Sequence, residues 1–186
     1  MSSYRAGWPR FTIRKLLALV ACVCAVGAAY AIFQRDYAAL PGLYGGAENL
    51  GIVRNPEKVE AFRLAELPEE ALEEYRRPWE FKAVGKPIAL PTGVAKEVSA
   101  VLTSASSFDW ENIPKSCGYP VYGVRMDFLR ASERIQIYFC FKCADLAVVV
   151  DGNYVGAADF HRADQLLARA VKKLFPDDAV IQGLRE

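Results

Sequence analysis

The sequence predicts an α+β fold: an N-terminal transmembrane helix followed by an antiparallel β-meander packed by two amphipathic helices. Three observations carry that expectation. Residues 16–33 contain no charged side chain. Residues 122–142 alternate apolar and polar side chains over two successive runs, the period of strands with one buried face. Residues 166–175 repeat apolar side chains at helical spacing and stop before Pro176.

The run from Leu16 to Phe33 is the first element. At about 1.5 Å per residue it reaches about 27 Å as a helix, close to the roughly 30 Å hydrocarbon core of a bilayer. Arg5, Arg10, Arg14 and Lys15 precede it, and Arg35 and Asp36 follow. Basic residues on the N-terminal side keep that side cytoplasmic and send the rest of the chain outward. Trp8 and Tyr30 suit the two interfacial belts. The expected arrangement is a basic cytoplasmic tail (1–15), an uncleaved signal anchor in the inner membrane (16–33), a tether (34–56) and an extracytoplasmic domain (57–186). Two rival anchors deliver the same domain across the same membrane. One is a signal peptide cleaved near Ala29-Tyr30-Ala31. The other is a lipoprotein signal at Leu19-Val20-Ala21-Cys22, although the apolar run continues past that cysteine.

The formal net charge of +1 hides an asymmetry. Residues after 33 hold 19 basic against 22 acidic groups. A mildly acidic domain has no basic stripe for nucleic acid, so that class of partner is excluded. The basic N-terminus is explained by topology and by anionic lipid headgroups. The expected partners are therefore the lipid bilayer, through residues 16–33, and an unidentified envelope protein.

Leu40 to Gly46 and Asn55-Pro56 carry turn formers, which is why 34–56 reads as a tether. Gly45-Gly46 lacks the Lys-Ser/Thr of a phosphate loop. Val59 to Ala65 reads as a strand, and Pro68 to Arg77 as a short exposed helix or acidic loop. Trp79, Phe81 and Ala83 alternate as a second strand, ended by Gly85 and Pro87. Thr92 is the expected N-cap of a helix reaching Ser104, with Val94, Val98, Val101 and Leu102 on one face. Tyr122 to Phe128 and Ile135 to Phe141 are strands joined by a turn at Ser132-Glu133. Leu146 to Val150 follows, and Asp151-Gly152 is a hairpin turn into Tyr154-Val155. The last helix carries Leu166, Leu167, Ala170, Val171, Leu174 and Phe175 toward the apolar face of the sheet.

No Ser/His/Asp set, zinc-protease motif or interpretable carboxylate pair is present, so a non-enzymatic module without a cofactor is expected. The cysteines are the chemical candidates. Cys22 and Cys24 sit in the apolar run and act as small hydrophobes. Cys117, Cys140 and Cys143 belong to the domain, and Cys140-Phe141-Lys142-Cys143 has C-x-x-C spacing. That pair follows a strand, away from the helix N-terminus that lowers a redox cysteine's pKa. Outside the cytoplasm disulfides persist, and a turn at 132–133 would set Arg125 opposite Cys140 and Tyr122 opposite Cys143. A bridge from Cys117 to one of the pair is then the favoured expectation, with one thiol left over. The alternative is thiol redox or metal binding by Cys117, Cys140 and Cys143, for which zinc would need a fourth ligand. His161 is expected on the surface, Asp177-Asp178 in a solvated turn, and Trp110 packed under the loop leading to Cys117.

Two stretches carry a resemblance. Arg10-Phe11-Thr12-Ile13-Arg14-Lys15-Leu16-Leu17 resembles the R-F-[ST]-[IL]-R-x-L-L opening of many uncharacterised bacterial single-pass membrane proteins. Phe108-Asp109-Trp110, Cys117, Cys140 to Cys143 and Phe175-Pro176-Asp177-Asp178 are similar to a W…C…C-F-x-C…F-P-x-D order in a group of uncharacterised bacterial proteins. The resemblance implies no activity; it implies that the three domain cysteines belong together.

Overall fold

The structure, a computed structural model, describes residues 13–65, 78–111 and 123–185. The chain divides after Arg35 into two compact units. The first is helical from Ile13, within α1 (Ile13–Leu43). Its apolar window has a mean hydropathy of 2.5 with no residue buried. This helix is long and apolar enough to cross a membrane.

The second unit, 36–186, is built on a six-stranded antiparallel sheet. Its strands are β1 (Lys58–Leu64), β2 (Ala83–Ala89), β3 (Val124–Arg130), β4 (Glu133–Cys140), β5 (Asp145–Val150) and β6 (Asn153–Asp159). Their spatial order is β2-β1-β3-β4-β5-β6. The helices are α2 (Ala47–Arg54), α3 (Thr92–Leu102), α4 (Asp164–Leu174) and a single turn, α5 (Ala179–Gln182). Alternation decides which strand residues meet α2, α3 and α4. Val59, Ala61, Val124, Met126, Phe128, Ile135, Ile137, Phe139, Leu146 and Val148 share the main core with Val53, Val98, Leu102, Leu167 and Val171. The opposite face forms a smaller cluster of Leu64, Phe81, Tyr138, Cys140, Ala147 and Val149.

The expected tether is corrected. Leu40, Leu43, Tyr44, Leu50, Ile52 and Val53 from 34–56 all lie in the main core. The turn formers end one helix and start the next. Gly45, at φ +71°, lets the Gly46 N–H donate to the Pro41 carbonyl, which closes α1 with a left-handed cap. Tyr44 then donates its hydroxyl to the Leu102 carbonyl at the end of α3, at 2.7 Å. Burial pushes the Tyr44 hydroxyl far above the usual tyrosine range.

Four local expectations are also corrected. The second strand starts at Ala83, past a 3₁₀ turn at Pro78–Glu80, and contains Gly85 and Pro87. It tolerates them because β2 is an edge strand, where a missing ladder donor costs little. α3 starts at Thr92 with Pro91 as N-cap, without a side-chain cap, and ends at Leu102. The β3–β4 hairpin turns at Ala131-Ser132, with Arg130 opposite Glu133. Moving the turn by one residue preserves every face but sets Arg125 opposite Tyr138, not Cys140. Leu166 is exposed, and α4 buries Leu167, Ala168, Ala170, Val171 and Leu174. The expected readings of Pro68 to Arg77, and of Tyr122 as a strand start, fall on 66–77 and 112–122, outside the described residues. The Asp151-Gly152 turn carries positive φ at both residues, as a two-residue hairpin of this hand requires.

Candidate functional site

The C-x-x-C segment closes the β4–β5 hairpin. Cys140 ends β4, residues 141–144 turn, and Asp145 begins β5 directly opposite Cys140. Ala144 supplies a positive φ of 58° for the turn. Phe141 anchors it by stacking on Phe139 and meeting the edge of Phe160, at centroid distances of 6.0 and 5.6 Å. This fold-back carries Cys143 toward the strand end, so the Cys140 and Cys143 sulfurs stand 3.1 Å apart. That is closer than ordinary packing and beyond the about 2.05 Å of a bond. Cys140 is a thiol with no exposed surface.

Asp145 lies opposite both Cys140 on β4 and Asp159 on β6, so the three occupy one row on the same face of the sheet. Asp145 and Asp159 are both buried. Asp159 Oδ1 accepts from the His161 backbone N–H at 2.7 Å, whereas Asp145 Oδ1 is buried with no hydrogen-bond partner. Burial, and secondly the Asp159 charge, push the Asp145 carboxyl up to about 6. Burial and Asp159 also raise Asp164, against the opposing pull of His161.

Beside Cys143 opens a hollow of about 760 Å³, lined among others by Arg63, Phe141, Lys142, His161, Asp164 and Leu184. Its floor is braced by Arg63, whose Nε donates to Asp178 Oδ2 at 2.6 Å. Asp178 Oδ1 in turn caps α5 by accepting from the Val180 and Ile181 N–H groups. The hydrogen bonds from these N–H groups and Arg63 outweigh partial burial and hold Asp178 below its usual range. Asp178 is therefore an ion-pairing cap, which corrects the expected solvated turn.

Further along the same face, Asp127 pairs with Arg125 at 2.7 Å and accepts from Gln136. Arg125 lies 4.1 Å over the Phe62 ring. Burial raises Asp127, opposed mainly by Arg125. Trp110 donates to the Ala105 carbonyl and meets the edge of Phe108. His161 is exposed. Cys22 and Cys24 are exposed on α1. Cys117 lies outside the described residues. Among the described residues, no group of three or more His, Cys, Asp or Glu is placed to hold a metal.

Sequence reasoning singled out Cys140 and Cys143 but missed Asp145, Asp159, Arg63 and Asp178. The carboxylates had a signal: Asp145 opens a strand two residues after Cys143, and hairpin symmetry folds it back onto Cys140. No family model, curated protein or solved structure matches the chain.

Proposed function

We propose that this chain is a single-pass membrane protein of the cell envelope whose α+β unit acts outside the cytoplasm as a non-enzymatic accessory or interaction module. Residues 16–33 cross the inner membrane with the N-terminus cytoplasmic. The observation that carries the reading is the apolar window of α1, exposed throughout and preceded by a basic cluster free of acidic residues. Alkaline phosphatase fused after residue 186 tests it. The expected result is an active enzyme in intact cells. An inactive fusion, with a cytoplasmic reporter active at the same position, overturns the orientation.

A second reading is favoured by the 3.1 Å approach of the Cys140 and Cys143 sulfurs: a thiol centre made by Cys117, Cys140 and Cys143. In it Cys143 is bonded to Cys117 and Cys140 is the third sulfur. Two facts support this pairing. Cys143 is a disulfide half, and Cys22, Cys24 and Cys140 are thiols. Thiol counting on the unreduced protein tests the pairing: three thiols are expected, and five would refute it.

A further inference from the structure

We infer that the groove between α3 and the α2–β1 link binds a small phosphate monoester. The phosphoryl group sits at the uncapped first turn of α3 with charge from Arg54 and Lys96, and a ligand hydroxyl meets Ser99. The groove encloses about 630 Å³ and shares no residue with the hollow beside Cys143. That volume suits a small molecule.

One face of α3 forms the first wall. Thr92, Ala95, Lys96, Ser99, Ala100 and Thr103 recur at intervals of three and four, so they point the same way from the helix. Ser99 stands near the middle of that face, while Val98 and Leu102 turn into the main core. Residues 54–58 form the opposite wall. Val59 and Leu90 add apolar surface, tied together by the Leu90 N–H donating to the Val59 carbonyl at 2.9 Å.

Three independent features of this groove call for an anion with a polar body. First, α3 begins with Pro91 as N-cap and has no side-chain cap, so the N–H groups of Thr92, Gly93 and Val94 lack an intrahelical partner at the positive end of the helix dipole. Second, Arg54 and Lys96 form no ion pair among the described residues, whereas Lys58 is held by Glu60 at 2.6 Å. The acidic group of the lining, Glu57, is committed to the Ala131 N–H at 3.1 Å. Third, Ser99 is 4 % exposed and its Oγ is buried without a hydrogen-bond partner. The neighbouring Thr103 hydroxyl is already used, donating to the Ser99 carbonyl at 2.8 Å. An unpaired buried hydroxyl is costly, and a ligand oxygen in the groove answers that cost. Thr92 and Ser99 are seven residues apart, about 10 Å along the helix. One inorganic ion does not span that length, whereas a phosphoryl group on a short hydroxylated chain does.

The test titrates glycerol 3-phosphate into the full-length protein in non-ionic detergent, by calorimetry. Saturable one-site binding is expected, weakening as salt rises from about 20 to 200 mM because charge carries it. Lys96→Gln and Arg54→Gln should each weaken binding by about tenfold, the scale of a lost charge-assisted hydrogen bond. Ser99→Ala should weaken it by about fivefold without lowering the unfolding midpoint of the unliganded protein, since its hydroxyl has no partner to lose. Lys86→Gln, on the exposed edge strand β2 and outside the groove, should bind as the native chain does. Native affinity in both Lys96→Gln and Arg54→Gln, or an equal loss in Lys86→Gln, overturns the site. Native affinity in Ser99→Ala, or inorganic phosphate binding as tightly as the ester, overturns the role of Ser99. Phosphatidic acid added to the same micelles distinguishes a lipid headgroup from a soluble ester. Binding of the lipid alone, lost in Lys96→Gln and Arg54→Gln, assigns the headgroup; binding of glycerol 3-phosphate alone assigns the soluble ester. Saturable binding of neither overturns the inference.

Discussion

Removing residues 36–56 should abolish folding of the α+β unit, although the sequence marks 57 as the domain start. The segment contributes Leu40, Leu43, Tyr44, Leu50, Ile52 and Val53, none more than 6 % exposed. At about 1.5–3 kcal/mol for each fully buried apolar side chain, the loss is about 9–18 kcal/mol. That figure is an upper bound, since unfolded chains already bury some surface. It still rivals the about 5–15 kcal/mol of net stability a domain possesses. The deletion also strips the Tyr44 hydroxyl from the Leu102 carbonyl at the C-terminal end of α3. The assay compares soluble fragments 36–186 and 57–186 by urea and thermal unfolding, followed by circular dichroism. The longer fragment should melt cooperatively and the shorter should show no transition. A cooperative melt of 57–186 within a few degrees of the longer fragment would refute the reasoning. Within 36–186, Tyr44→Phe isolates the hydrogen bond. An unsatisfied buried carbonyl costs about 1–3 kcal/mol, and each kcal/mol lowers Tm by about 2–4 °C at this size.

Gly156→Ala should destabilise the unit by about 1–3 kcal/mol, because the added Cβ would run into the Leu43 backbone carbonyl; an unchanged urea midpoint would show that α1 does not pack so closely on β6. Asp127→Asn should cost about 3–5 kcal/mol by leaving the Arg125 charge without its partner on a buried face. The double change Arg125→Met with Asp127→Leu should recover much of that loss, and a double-mutant cycle of unfolding energies measures it. Asp145 gives stability a pH dependence of defined sign. Its folded carboxyl keeps a proton up to about 6, whereas the unfolded one releases it near 3.8. The folded state therefore binds more protons, and stability falls as pH rises from about 4 through 6, by up to about 3 kcal/mol. Asp145→Asn should remove that slope, and an unaltered slope in the variant would assign it elsewhere.

The strands of the C-terminal half were legible in the sequence because their signal is local. Val124 to Phe128 and Ile135 to Phe139 alternate, and alternation alone names the buried face. A one-residue error in the turn left those faces intact, since a hairpin preserves parity. It moved every partner between β3 and β4, so that Arg125 stands opposite Tyr138 and not Cys140. The segment 34–56 was misread for a related reason. Pro41, Gly42, Gly45 and Gly46 signal a break in regular structure, and a break between helices looks in sequence like a flexible link. The edge position of β2, which makes Pro87 tolerable, is equally invisible along the chain.

By itself the sequence determined the uncharged span 16–33, the basic cluster ahead of it, the α+β class and the three domain cysteines. Those properties depend on composition and on periods of two or 3.6 residues. Only the tertiary structure decided that Leu40 to Val53 belong to the core, and that Asp178 holds Arg63 across 115 residues. It also decided that Asp145 faces Cys140 while the C-x-x-C sulfurs nearly touch. These are matters of register and of long-range packing, set by which surfaces close on one another, and no periodicity along the chain encodes them.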